Sequence, residues 1–311
     1  MKYKSVRETA IRWGVSERIV RRYCTGKRIP GAVQIDKAWR IPANAVKPGT
    51  TPPPKQDMPK LLKKLISLRK RHGSRGLYDY VQVNMAYSNS RMASNRLTRK
   101  QVQYLYETDR VSEGFEPIKV NDIIEMRNHF VVMDMLLDDA MQPLSKKMIV
   151  KWQRQLLSES CRHKRKSAIE PGFRMKNCLL KSGQTPPPKE ISNALDTLFS
   201  EYEMKTVVGL QDILELHVRF EEIRPFEDAN GRIGRLLMFK ECLRHDVMPF
   251  ILDDKHRTGY LDGIRQWEAN LDILMDVCME AQMRFEAQMA LQGLLECQSQ
   301  HLRAYYKEGS R

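Results

Sequence analysis

The chain has 311 residues, 41% of them hydrophobic and 29% charged, with a formal net charge of +15. That is the composition of a globular protein with room for two domains. The sequence has no run of eighteen or more uninterrupted apolar residues, and its first residues lack the apolar core of a signal peptide, so a membrane span and secretion are both disfavoured and a cytoplasmic protein is expected.

Six cysteines occur, with no C-x-x-C pair and no metal-ligand spacing, which predicts reduced and mostly buried thiols. Charge is unevenly placed: residues 1–100 hold 24 Lys and Arg against 5 Asp and Glu, whereas residues 101–311 hold 29 against 33. The basic excess belongs to the front third, where a polyanion is the expected partner.

In the first residues, Ser5 and Glu8 have the spacing of a capping box and open a short helix expected to bury Ala10, Ile11 and Trp13 before Gly14 ends it. Ser16 caps a second helix, with Ile19, Val20 and Tyr23 on one face and Arg18, Arg21 and Arg22 on the other. Apolar runs around Val33 and Trp39 flank Asp36 and Lys37 and predict a two-stranded wing. The stretch from Lys47 to Lys60, with five prolines and a glycine, reads as a semi-rigid spacer. The predicted organisation is a head over 1–46, a linker over 47–60 and a body over 61–311.

The head resembles winged helix-turn-helix domains of excisionase and mercury-resistance-regulator type, through Thr9 to Arg18, Gly26 to Ala32 and Trp39 to Ala43. The resemblance implies DNA as a partner, with the second helix in the major groove, Arg18, Arg21 and Arg22 on bases or phosphates, and Lys37 and Arg40 gripping the backbone. Read by themselves, three arginines on a short helix are also compatible with a solvated face.

The body reads as almost entirely helical, with apolar periodicity over 58–71, 77–87, 98–107, 120–141, 145–158, 188–203, 207–222, 231–245, 258–268 and 271–300. Residues 172–183, followed by Pro186 to Pro188, break the period and predict a short extended flap. His129, alone on an amphipathic helix, reads as a packed or capping residue. The seventeen methionines read as core filler, and the last helix suits packing or dimerisation equally.

The chemistry is concentrated in Ile223-Arg-Pro-Phe-Glu-Asp-Ala-Asn-Gly-Arg-Ile-Gly-Arg. Pro225 ends one helix and Asn230-Gly231 begins another with unpaired amides, beside Arg232 and Arg235: a phosphate site by helix-terminus electrostatics, with Asp228 a hard oxygen suited to Mg²⁺. A plain turn followed by solvated arginines fits the bare spacing as well.

This segment is similar to the signature of Fic-family proteins, His-Pro-Phe-x-Asp/Glu-Gly/Ala-Asn-Gly-Arg-x-x-Arg, through Pro225, Phe226, Asp228, Ala229, Asn230, Gly231, Arg232 and Arg235. The resemblance implies a mainly α protein: an all-helical Fic-type domain with a short β-hairpin flap, preceded by the small winged helix-turn-helix. Such proteins transfer a phosphate-containing moiety, most often AMP from ATP, to a protein hydroxyl. The implied ligands are ATP or another nucleotide and Mg²⁺, the metal on Asp228 and the nucleotide on Phe226, Asn230, Gly231, Arg232 and Arg235. The flap at Arg174 to Leu180 is implied to pair with an extended segment of a target protein.

Arg224 stands at the catalytic position where the signature has its histidine, the family's general base. A guanidinium, with a pKa above about 12, does not accept a proton near neutral pH. Two substitutes come into view: His217, about 10 Å upstream along a helix, and Glu222, which faces another side. The stretch around Tyr87 to Thr98 corresponds to the family's inhibitory helix, with Asn89 for its Ser/Thr and Ala93 for its glutamate. Three readings follow: a DNA-binding, nucleotide-binding protein without standard AMP transfer; an active protein adenylyltransferase or related transferase with a non-standard base; and a dimerising scaffold that has lost nucleotide binding. A homodimer fits a helix-turn-helix reading two half-sites.

Overall fold

The computed structural model describes residues 3–26, 28–35, 38–47, 57–71, 76–111, 117–159, 172–180 and 183–291. The chain divides into two compact units, Met1–Asp57 and Met58–Arg311.

The smaller unit holds β1 (Tyr3–Lys4), α1 (Val6–Trp13), α2 (Glu17–Thr25), β2 (Val33–Ile35) and β3 (Ala38–Pro42). Ser5 and Glu8 close the predicted capping box, and Gly14 ends α1 in the left-handed conformation at φ +63°. The wing has a third member: β1 pairs with β3 on the side away from β2, an antiparallel sheet of order β1-β3-β2. Two residues are too short a run for any period to reveal, which is why β1 escapes the sequence.

Val6, Ala10, Val20, Cys24, Ile29 and Ile41 form the core of this unit. Ile11, expected inside, is 75% exposed. The inward face of α1 is set by Val6, Thr9 and Ala10, spaced three and four residues apart, and Ile11 lies about 100° around the helix from Ala10. Arg12 donates to the carbonyls of Ala43 and Ala45 and so ties α1 to the chain leaving the wing.

The larger unit is helical: α3 (Lys60–Arg69), α4 (Leu77–Arg91), α5 (Arg99–Thr108), α6 (Val120–Asp139), α7 (Lys146–Leu156), α8 (Ile191–Glu203), α9 (Leu210–Ile223), α10 (Asn230–Arg244), α11 (Arg257–Arg265) and α12 (Asp272–Leu291). Short 3₁₀ turns precede α8 and α11. A two-residue hairpin, β4 (Leu179–Leu180) with β5 (Gly183–Gln184), is the observed part of the flap. The predicted continuation of the last helix beyond Leu291 lies outside the described residues.

α10 is the axis of this unit. Ile233, Leu236, Leu237, Met238, Phe239, Cys242 and Leu243 are all buried, together with Lys240 and Glu241. Buried on nearly every side, it shows no apolar stripe. Lys240 and Glu241 sit in the core because they pair with each other at 2.5 Å, while Arg244 ties Glu241 to Glu203. This arrangement buries the helix and brings its N-terminus, Asn230 to Arg232, to the loop from Arg224 to Ala229.

Cys24, Cys242 and Cys278 are buried free thiols and Cys178 is half-buried; Cys161 and Cys297 lie outside the described residues. Among the described residues no helix is long and apolar enough to cross a membrane.

Candidate functional site

The loop between α9 and α10 is bracketed by two residues that are not glycine yet lie in the left-handed region: Arg224 at φ +47° and Ala229 at φ +74°. Such conformations persist only where neighbours hold them. On one side Phe226 and Asn230 exchange two hydrogen bonds of 2.8 Å each, backbone amide to Oδ1 and Nδ2 to backbone carbonyl, closing the loop into a ring. On the other side Arg174 holds it. The Arg174 amide donates to the Pro225 carbonyl at 2.8 Å, and its buried guanidinium donates to the carbonyls of Arg224, Lys176, Pro186 and Ile223 and to the Thr185 hydroxyl.

Residues expected to meet a nucleotide divide into two groups. Phe226 is buried and packs on Phe173, so its ring belongs to the core. Both polar atoms of the Asn230 side chain are used by the loop itself. Arg232 is also turned inward: it is 2% exposed and pairs with Glu125 at 3.1 Å, with its second nitrogen on Asp228 at 3.1 Å. These three build the loop. Gly231, Asp228, Arg224 and Arg235 are instead half-buried around the start of α10.

Asp228 is 42% exposed; its Oδ1 takes the Ala229 amide and Arg232, leaving Oδ2 for an incoming ion. A single carboxylate completed by phosphate oxygens and water suits Mg²⁺, which keeps several waters and rarely has an all-protein cage. Among the described residues no group of three or more His, Cys, Asp or Glu is placed to hold a metal.

Arg235 reaches back one turn to Gly231, where a side-chain carbon would lie 3.0 Å from its Nη1. Its Nε donates to Asn89 Oδ1 at 2.7 Å, its Nη2 to the Asn89 carbonyl, and it lies over the ring of Tyr260. Asn89 thus occupies the arginine with a neutral amide. Beside this clasp is a crevice of only about 10 Å³, walled by Met85, Met238, Phe250 and Leu252. In the turn that follows α4, Ser94 is held at φ +70°.

Behind the clasp lies a buried polar layer. His129 Nε2 is 2.9 Å from Asn89 Nδ2, and His217 Nε2 is 2.6 Å from the Tyr260 hydroxyl. Burial pushes both imidazoles down to about 3, with the charge of Arg235 acting in the same direction on each and that of Arg232 on His129 as well. His217 is therefore a neutral packed residue, hydrogen-bonded to Tyr260. Glu222 is exposed at the surface, and partial burial of its carboxyl, with Glu268 nearby, pushes it up against the opposing charge of Arg219.

Glu221 is the neighbour that the sequence did not single out. Its Oε1 is buried without a hydrogen-bond partner among the described residues, and burial pushes its carboxyl up while Arg235 and Arg224 oppose the shift. A side-chain carbon on Gly234 would come within 2.9 Å of Glu221 Oε1 and within 2.7 Å of His217 Cε1, so that glycine makes the notch in which both are seated. The identity of residue 234 is the one signal that could have pointed to Glu221.

The head residues proposed for DNA are placed more simply. Arg18, Arg21, Arg22 and Arg40 are exposed, Arg21 pairing with Glu17 at 2.7 Å. Lys37 lies outside the described residues.

Residues 143–242 match the Fic/DOC family. A protein of Aquifex aeolicus, described as a probable protein adenylyltransferase, is 26% identical over 92 residues; the match spans 29% of this chain and 28% of that relative. The fold is similar to that of a Fic-domain-containing signalling protein from Bacteroides thetaiotaomicron, with a TM-score of 0.60 at 21% identity over 76% of this chain and 98% of that one. It is also similar to Fic-1 of C. elegans, with a TM-score of 0.59 at 17% identity over 75% and 72% of the two chains. The matched stretch contains the whole loop from Arg224 to Ala229 and most of the helix it opens, and on that ground this is a protein with a Fic domain.

Proposed function

We propose that the larger unit binds nucleotide phosphates at the start of α10 without standard AMP transfer, and that the smaller unit binds DNA. The observation that carries the first part is Arg224. It stands at the entrance to the loop in a strained conformation, and its guanidinium makes no hydrogen bond or ion pair among the described residues. There it can attract an anion and cannot take a proton from a hydroxyl. Free amides at the helix start and Arg235 receive phosphate, and Asp228 holds Mg²⁺, which neutralises charge on the phosphate oxygens. Phosphate reaches Arg235 only when the Asn89 clasp opens, and a neutral amide yields more readily than a carboxylate would.

Incubation with α-labelled ATP and Mg²⁺ tests this reading. The natural chain is expected to bind label reversibly and attach none covalently. Arg224→His is expected to create covalent label, because a positioned base contributes about 10²–10⁴ in rate. Asp228→Ala should abolish it.

Glu221 supports a second reading, an active adenylyltransferase-type enzyme with a carboxylate base. A carboxyl pushed above its ordinary range, with an orphaned oxygen near Arg224 and Arg235, is the right kind of group. Covalent label from the natural chain that disappears in Glu221→Gln would establish this reading and end the first.

DNA binding is supported by the exposed arginines of α2 and β3 and by the basic front third of the sequence. Fluorescence anisotropy of a labelled duplex between 50 and 200 mM salt should give a steep salt dependence. Arg18→Ala with Arg22→Ala should reduce the slope by about 2. An unchanged slope would remove α2 from the interface.

A further inference from the structure

We propose that a second anion site, for a small phosphate-type polyanion, lies in the cleft between the end of α4 and the start of α11. The cleft measures about 390 Å³ and is lined by Arg91, Ser94, Asn95, Arg96, Asp254 and Arg257. Three guanidinium groups face one carboxylate there. No aromatic ring or aliphatic side chain lines it, and what it chiefly offers is guanidinium donors for phosphate oxygens.

The cations are under-used in the protein itself. Arg91 meets Asp254 only loosely, at 3.7 Å with both side chains about half exposed, and its bond to the Asn95 carbonyl is long at 3.3 Å. Arg96 and Arg257 make no side-chain hydrogen bond or ion pair among the described residues. The Asp254 carboxylate is shared with the Tyr87 hydroxyl at 3.3 Å. Like charges gathered in one cleft repel, and an anion bridging them removes that cost.

The loop that carries Arg96 is fixed before any ligand arrives. Ser94 is held at φ +70°, its amide on the Arg91 carbonyl and the next amide on the Ser90 carbonyl. Asn95 is 3% exposed, accepting from the Leu97 amide and donating to the Asp122 carbonyl. The Asp122 carboxylate is engaged by the Arg96 amide at 3.1 Å. A rigid backbone under a flexible guanidinium lowers the ordering cost of binding. This site stands apart from the nucleotide reading above and does not need it to be correct.

Calorimetric titration of the full chain with inorganic diphosphate, without Mg²⁺ and at fixed ionic strength, tests the proposal. Arg96→Ala with Arg257→Ala is expected to remove one diphosphate equivalent per chain or weaken it at least tenfold. Lys60→Ala with Lys63→Ala takes the same charge from exposed positions on α3 and is expected to change the isotherm less than twofold. If the arginine pair titrates as the natural chain does, the anion sits elsewhere or does not bind, and the site does not exist. Equal weakening by the lysine pair would show attraction to overall charge and overturn it equally. All four residues are exposed, and matching thermal midpoints will confirm that the variants are folded.

Discussion

Glu125→Ala is expected to lower the unfolding free energy of the larger unit by about 3–5 kcal/mol, the usual cost of stranding one partner of a buried ion pair. Arg232 is 2% exposed and Glu125 4% exposed, and Arg232 Nε already lacks a partner among the described residues. Without Glu125 the guanidinium would keep only Asp228, which is 42% exposed and screened by water. Urea unfolding at neutral pH measures the loss as a shift of midpoint at constant slope. The informative companion is Glu125→Leu with Arg232→Met, which removes both charges and is expected to recover most of the stability while leaving Asp228 untethered. A loss below about 1 kcal/mol for Glu125→Ala would show that water reaches Arg232 and that the pair is not buried in solution.

Acid is expected to weaken the same unit through His129 and His217. Both are held neutral in the folded chain at about 3, against an ordinary value near 6.5 once unfolded. Between those values the unfolded chain binds protons that the folded chain refuses. The stability from neutral histidine is therefore complete above about pH 6.5 and is lost progressively as pH falls toward 3. Two such groups cost about 2–3 kcal/mol between pH 7.5 and 5.5, at roughly 1.4 kcal/mol per unit each. Urea midpoints across that range should fall accordingly, and His217→Gln should remove about half of the decline. Midpoints that stay level would mean that both rings already accept protons in the folded state.

Most of the helical frame was legible because buried faces impose a period. The predicted segments at 77–87, 120–141 and 231–245 end within a few residues of α4, α6 and α10. The motif loop was legible as a place, from Pro225 and Asn230-Gly231. The inward or outward turn of its side chains was not. Asn230 bonds the backbone of Phe226 four residues back, as its place in a turn suggests, whereas Arg232, with the right chemistry for phosphate, is committed by tertiary packing to Glu125, a partner that no local pattern announces. The polar layer was hidden for the same reason. Asn89, His129, His217 and Tyr260 come from four helices far apart in sequence, and only the fold brings them to Arg235. One step of about 100° around α9 separates Glu222, which the sequence pointed to, from Glu221, which faces Gly234.

Arg174 gives the flap and the loop a common kinetics. Its backbone and guanidinium hold carbonyls of Ile223, Arg224 and Pro225 on one side and of Lys176 and Pro186 on the other. Neither segment can swing out without breaking the same bonds, so their backbone amides share one opening event and are protected from solvent exchange by a common factor. A ligand that stabilises the closed loop slows exchange in the flap by the same factor without touching it.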